Sequence, residues 1–484
     1  MAPKDTTEIA DNHGLRRTLG LPDLVSMQIL LVVGLAWTGY AARQGSAHVV
    51  FWLIGIASFF LPAAMVVSFC VKIWPLEGGV YQWTKYAIGP FAGFMSAWNF
   101  GAWAVLLVAT IGTLTATSLH YIIGPGAAWI ETSTGLITAL NFGLLLFMLA
   151  VNVPGFILGR WVAHFGTLVI LAVIVLAEVL LVFHPHGAAA TPSLHAAPGP
   201  AFALGLPVLT LMSVNLFAKL SFQGLTGIEQ VAVFAGETRN PARSILRSAW
   251  IAGPVIGVIY ITVTGALLTY TAAGDVDLNG PMPQLLAAGF GAGASGASLG
   301  SVLGVFMNVA FAIANIAQYA VIVAETSRLP MVAAWDHLIP SAFTRLHPRF
   351  RTPTLALAAI VAIAFVFSML ATFGANTDEA FQTMAVSANM GYGIYYLLMF
   401  AVPLVAGTRF SPRPDLRPGI ALRIACVSAI LVTIASISFA VIPVVPVAST
   451  AMFATKVAGP IIAINVLGVV VYWRGTRAGK VVLS

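Results

Sequence analysis

The sequence predicts an all-α membrane protein with about twelve transmembrane helices. Three observations carry this. Of 484 residues, 59% are hydrophobic and only 8% charged, where a soluble domain carries about 25% charged residues. Apolar runs recur along the chain between charged, Pro or Gly clusters, each about the 20 residues that cross a bilayer as a helix. With the N-terminus placed in the cytoplasm, 20 of the 23 Lys and Arg residues fall on one side, leaving only Arg43, Lys219 and Lys456. A missing or extra span would scramble that alternation. The net charge of +7 is therefore an orientation signal rather than a nucleic-acid surface.

The expected spans lie at 24–43, 48–71, 91–121, 134–153, 161–183, 204–235, 249–272, 298–324, 354–373, 380–402, 420–440 and 452–473. The segment 1–20 is polar and is expected in the cytoplasm. No cleavable signal stands out, so the first apolar run reads as a retained span. Both termini are expected in the cytoplasm, in a multi-pass protein of the cell membrane. Cys70 and Cys426 lie in apolar segments and read as small buried hydrophobes. The loop His184–Pro200 contains His184, His186 and His195, but no carboxylate or cysteine accompanies them, so a solvated loop is expected rather than a metal site. No metal or cofactor is expected. No H-E-x-x-H, G-x-S-x-G or phosphate loop occurs, and the chain does not read as an enzyme.

The sixth span carries the strongest functional signal. Gln223, Gly224, Thr226 and Gly227, followed by Glu229, interrupt an apolar run. Glycines at mid-membrane depth weaken a helix where lipid penalises unpaired backbone groups. Such a break is tolerated where the freed groups line a cavity or meet a ligand, and an acid beside it points to a transporter's binding site. The first span holds a matching interruption, Gly34-Leu35-Ala36-Trp37-Thr38-Gly39.

Gly227-Ile228-Glu229 with Glu237-Thr238-Arg239-Asn240-Pro241-Ala242-Arg243 resembles the sixth helix and following loop of the amino acid–polyamine–organocation permeases. Pro75-Leu76-Glu77-Gly78-Gly79-Val80-Tyr81-Gln82-Trp83, with Gly89-Pro90-Phe91-Ala92-Gly93-Phe94, resembles that family's loop between helices two and three. Ser327-Arg328-Leu329, with Pro340 and Thr352-Pro353, resembles its loop after helix eight. The blocks occur in family order, and the resemblance runs from about Leu21 to Trp473. It implies a leucine-transporter-like fold: a five-plus-five inverted repeat of residues 21–203 and 204–402, with helices eleven and twelve in 403–484. It also implies a secondary active transporter of an amino acid or related amine, with substrate bound between broken helices one and six.

Two departures from the family pattern stand out. The first break keeps Gly34 and Gly39 but places Trp37 and Thr38 between them. Ahead of the helix-six glycines the family often has aromatics, where this chain has Gln223 and Leu225. Loss of that stacking surface argues against a cationic substrate, unless Phe222 or Trp103 replaces it. The expected substrate-binding set is Gly34, Ala36, Trp37, Thr38, Gly39, Trp103, Phe222, Gln223, Gly224, Thr226 and Gly227. Glu229 is expected to hydrogen-bond across to helix one or three and couple gating to occupancy. Lys219, one turn before Gln223, is expected at the cavity's outer wall, with a structural pairing as the alternative. Arg43 is expected to snorkel to the outer interface.

Each break leaves free carbonyls on one side and free N–H groups on the other. Facing breaks thus offer one spot for an ammonium and one for a carboxylate, which suits an α-amino acid. Polyamine uptake and a glutamate/GABA-type antiporter are the rival transport readings. A substrate-gated channel and a transport-dead sensor are the rivals from other classes. A proton or sodium ion remains the candidate coupling ion, the lipid bilayer is the surrounding partner, and the oligomeric state stays open.

Overall fold

The computed structural model describes residues 19–74, 78–154, 165–166, 168–176, 178–179, 202, 204–232, 238–290, 299–332, 338–350, 352–372, 377–409 and 417–477. Apart from one isolated bridge between Leu19 and Thr238, the regular structure among them is helical. The loop His184–Pro200, residues 75–77, Glu237 and most of the flanks of the fifth span lie outside the described residues.

Nine helices among the described residues are long and apolar enough to cross a membrane. The first and sixth expected spans fall short of that length because both are interrupted, as their glycines predict. The first is split into α1 (Leu21–Val32), a 3₁₀ turn Leu35–Trp37 and α2 (Thr38–Ala42). The second expected span divides into α3 (His48–Gly55) and α4 (Leu61–Ile73) around a π turn at Ile56–Phe60. A short α5 (Val80–Ala87) follows. The third span is α6 (Pro90–Val108) and α7 (Ile111–Ile123), which meet at Thr110. The Thr110 hydroxyl turns back on Leu107 O at 2.7 Å and meets the Tyr319 hydroxyl at 3.0 Å. Next come α8 (Trp129–Thr132) and α9 (Thr134–Asn152).

The sixth expected span, 204–235, begins later than the apolar run does. Residues 204–210 are non-helical, and α10 (Leu211–Gln223) starts at a reciprocal cap. Ser213 N donates to Thr210 Oγ1 at 3.1 Å, and Thr210 N donates to Ser213 Oγ at 2.8 Å. Hydropathy sees only the apolar run, whereas Pro207 and this cap set the helix start. The remaining helices are α11 (Pro241–Tyr270), α12 (Pro281–Phe290), α13 (Leu299–Val332), α14 (Thr354–Thr372), α15 (Thr377–Arg409), α16 (Ile420–Phe439) and α17 (Thr450–Arg477). The two broken segments lie within a frame of long helices: α1 packs on α11, α10 packs on α16, and α15 packs on α6.

Lys219 corrects its sequence expectation. It does not line the cavity. Its ammonium, fully buried, donates to Asn215 Oδ1 at 2.8 Å, Ile442 O at 2.9 Å and Phe439 O at 3.3 Å. Helical side chains lean toward the preceding turn, which carries the lysine back to Asn215 and away from Gln223. Phe439 ends α16, so the cation meets the negative end of its dipole, sharing Phe439 O with the Ile442 N–H and Ile442 O with Asn215 Nδ2. The ammonium's three protons have three acceptors, which accounts for a cation at this depth. Arg43 likewise finds backbone: its guanidinium donates twice to Val276 O, at 2.8 and 3.2 Å.

Lys219→Met should therefore lower the thermal midpoint of the purified protein, since it leaves Asn215 Oδ1 without a donor, and an unpaired buried acceptor costs about 1–3 kcal/mol. It should leave the ranking of transported substrates as in the wild type. A changed ranking at wild-type stability would return Lys219 to the cavity.

Candidate functional site

The two breaks face one another across a single side chain. Tyr260, fully buried on α11, places its hydroxyl 3.0 Å from Gly34 N, from which it accepts a hydrogen bond. The same hydroxyl lies 2.8 Å from Val32 O and 2.6 Å from Gly224 O. One hydroxyl proton serves one carbonyl at a time, so the end of α1 and the end of α10 compete for it. Trp52 holds the ring: the two aromatic planes stack 4.4 Å apart at 11°, and Trp52 Nε1 donates to Thr264 Oγ1 at 3.1 Å. The same indole lies against Gly224, where a Cβ would come within 3.1 Å of it.

Beyond α10 the chain turns at Gly227, whose φ of 108° favours glycine. Gly227 N donates to the Tyr396 hydroxyl at 2.8 Å. Tyr396 in turn donates to Glu229 Oε2, and Tyr392 donates to Glu229 Oε1 at 2.5 Å. Gln230 Nε2 completes the chain by donating to the Tyr392 hydroxyl at 2.8 Å. From α1, Gln28 Nε2 donates to Ile228 O at 3.1 Å. Glu229 therefore anchors the second break to α15, the tenth expected span, and not to helix one or three as expected. Two phenols one helical turn apart supply both donors that a buried carboxylate needs.

A cavity of about 130 Å³ lies where the breaks meet. A single water needs roughly 10–15 Å³ on the same measure, so the space suits a small solute. Of the expected residues, Gly34, Ala36, Trp37, Trp103, Gln223 and Thr226 line it. Thr38 does not: its hydroxyl donates to Leu35 O at 2.6 Å. Gly39 packs on the backbone of Asp277, Gly224 lies under Trp52, and Gly227 belongs to the Glu229 network. Phe222 is also off the cavity. It sits in the core on the other side of α10, edge-on to Phe59 at 5.4 Å and Tyr396 at 5.5 Å. The aromatic surface of the cavity comes instead from Trp103, stacked on Tyr392 at 4.4 Å and 18°.

The first break is narrower than its glycines imply. Trp37 folds back so that a Cβ on Gly34 would lie 2.6 Å from its Nε1, and its ring stacks 5.7 Å from Tyr40. The Tyr40 hydroxyl donates to Gln382 Oε1 at 2.7 Å, and Asn279 Nδ2 donates to Asp378 Oδ1 at 2.5 Å. These polar contacts bind α2 and the start of α12 to α15 at one end of the cavity. Among the described residues, no Asp, Glu, Lys or Arg lines it; its polar groups are amides, hydroxyls and backbone. Charge inside it would be met by the helix ends.

A family model for amino acid permeases matches residues 19–470. The chain belongs to the amino acid permease family. An uncharacterized transporter of Legionella pneumophila, lpg1691, is 28% identical over 48% of each chain, so this match spans about half of either protein. The serine/threonine exchanger SteT of Bacillus subtilis is 21% identical over 81% of this chain and 84% of its own. The low-affinity putrescine importer PlaP of Escherichia coli is 26% identical over 77% and 80%. This permease is thus a multi-pass membrane transporter of the amino acid or amine type, and not an enzyme.

The residues that sequence reasoning missed are Tyr260, Trp52, Tyr392, Tyr396 and Gln28. Their signal was weak but present: each puts a polar tip inside an apolar run, where a buried hydroxyl, indole or amide needs a partner.

Tyr260→Phe removes only the bridging hydroxyl. Gly34 N–H keeps Val32 O as an acceptor at 2.9 Å, so the group that loses its partner is Gly224 O, at about 1–3 kcal/mol. The thermal midpoint should fall, and substrate affinity should weaken about tenfold or more. Thermal unfolding and equilibrium binding in detergent check both. Wild-type values in each would show that the bridge does not hold the breaks.

Proposed function

We propose that this permease moves a net-neutral α-amino acid across the cell membrane by alternating access, with the substrate bound between the two breaks. The observation that carries this is a cavity bordered by both helix interruptions and free of ionised side chains among the described residues. In it the substrate ammonium meets the freed carbonyls at the end of α1, and its carboxylate meets the N–H groups of the following turns. Residues 21–203 and 204–402 act as two halves rocking about this site, with both termini in the cytoplasm. Glu229 keeps the second break fixed to α15, so that both move together as parts of the second half.

The uncharged wall also ranks the rivals. A polyamine brings two or more positive charges and needs carboxylates in the site. An anionic amino acid brings a surplus negative charge and needs a cation. Neither finds one at the cavity surface described here.

Uptake into proteoliposomes of a panel of labelled amino acids, with putrescine included, tests this. Neutral amino acids should enter faster than putrescine, glutamate or arginine. Imposing a proton gradient and then a sodium gradient should identify the coupling ion. Entry of putrescine with no uptake of any α-amino acid would overturn the reading.

A further inference from the structure

Gln223 stands where the two breaks open into the cavity, and its carboxamide is unspent. The residue is 5% exposed, it lines the cavity, and its Oε1 is buried with no hydrogen-bond partner. A carboxamide brings one acceptor oxygen and two N–H donors, and a buried polar group of this kind left unmatched is costly. Its two ends exchange by a half-turn of the terminal torsion, so Gln223 can offer a solute either a donor or an acceptor.

Two further amides face the same space with one end committed. Asn315 Nδ2 donates to Phe311 O at 2.9 Å, and Asn389 Nδ2 donates to Ala385 O at 2.7 Å. Both are bonds to the preceding turn of the residue's own helix, α13 and α15 respectively. Each leaves its Oδ1 as the end not tied to the helix, and both residues line the cavity. Gln230 is committed in the same way, its Nε2 donating to Tyr392, whereas Asn279 is engaged at both ends by Asp378 and Gln382, and Gln318 also lines the space. The wall therefore offers the uncommitted Gln223 amide with the oxygens of Asn315 and Asn389, beside the apolar surfaces of Trp103, Phe311 and Phe381.

We propose that Gln223, with Asn315 and Asn389, forms a side-chain subsite that selects carboxamide amino acids, the glutamine and asparagine class. This rests on reading the cavity as the amino acid site. A substrate carboxamide can pair head to tail with Gln223, donating one N–H to its Oε1 and accepting from its Nε2, while its second N–H reaches an oxygen of Asn315 or Asn389. A carboxylate of the same shape can only accept, and sets its oxygens against those of Asn315 and Asn389. A side-chain ammonium can only donate, and enters without a counter-charge among the described residues. A thioether of the same length leaves the amides unmatched. Sites built to hydrogen-bond a substrate group reject the analogue lacking it more strongly than apolar pockets reject an added methylene.

Glutamine, glutamate and methionine have nearly the same length and shape, and separate these cases. In proteoliposomes holding the full chain, uptake of labelled glutamine should exceed that of glutamate and of methionine by about tenfold or more at equal concentration. Gln223→Met should collapse the glutamine-to-methionine ratio toward one. Gln223→Glu should shift preference toward ornithine. Ratios within one preparation do not depend on how much protein folds, so a partly misfolded variant still gives a reading. Equal wild-type uptake of glutamine and methionine would overturn the inference while sparing the amino acid reading. So would a Gln223→Met variant that lowers both uptakes by the same factor. Uptake of no amino acid at all would instead overturn the proposed function.

Discussion

A helix interrupted inside a bilayer must find partners for the backbone groups it frees, and the hydroxyl of Tyr260 is where this chain meets that demand for both interruptions at once. It accepts from Gly34 N–H and is shared between Val32 O and Gly224 O. Much of the surrounding structure serves that contact. Trp52 stacks on the ring to fix it, Gly224 is small enough to let the indole pass, and α11 carries Tyr260 straight from the loop beyond the second break. A single hydroxyl serving two carbonyls is also a bistable element. The proton can serve Val32 O or Gly224 O, and Val32 O also accepts from the Gly34 N–H.

The second theme is where charge is kept. Glu229 lies behind the wall, held by two phenols and tied by Tyr396 to the Gly227 N–H. Lys219 is spent on the end of α16. Among the described residues, what faces the cavity is neutral, and its polar groups are helix ends, hydroxyls and amides. In the proposed reading, backbone dipoles meet the part common to all α-amino acids, while side-chain amides read the variable part. A division of that kind would let one backbone frame serve many substrates by exchange of a few side chains, Gln223 among them.

The fold was legible in the sequence because its signals are one-dimensional. Apolar run length, the sidedness of basic residues and the Gly-rich interruptions of the first and sixth spans each read along the chain. The long described helices fall where those signals put them, while the short α5, α8 and α12 lie between the expected spans. The late start of α10 escaped because a reciprocal Thr210–Ser213 cap is invisible to hydropathy. The site was legible only in part. Gly34, Trp37, Gln223 and Thr226 follow from the breaks themselves. Lys219 was misplaced, since helical spacing fixes which face a residue occupies but not which way a long side chain leans. Phe222 was misplaced because an aromatic beside a break is equally at home in the core behind it. Tyr260, Tyr392 and Tyr396 went unseen since their partners lie more than 30 residues away in sequence, the nearest separation being 36.

Substrate lying between the two breaks is the central claim, and cysteine protection tests it most directly. Ala36→Cys and Thr226→Cys place one thiol beside each break, and the native Cys70 and Cys426 are both buried, which keeps the background low. A transported amino acid should slow modification of both thiols by a small polar thiol reagent, with the same half-maximal concentration at each. Protection of neither thiol, or of only one, by a substrate that the same protein demonstrably transports would contradict a site shared by the two breaks.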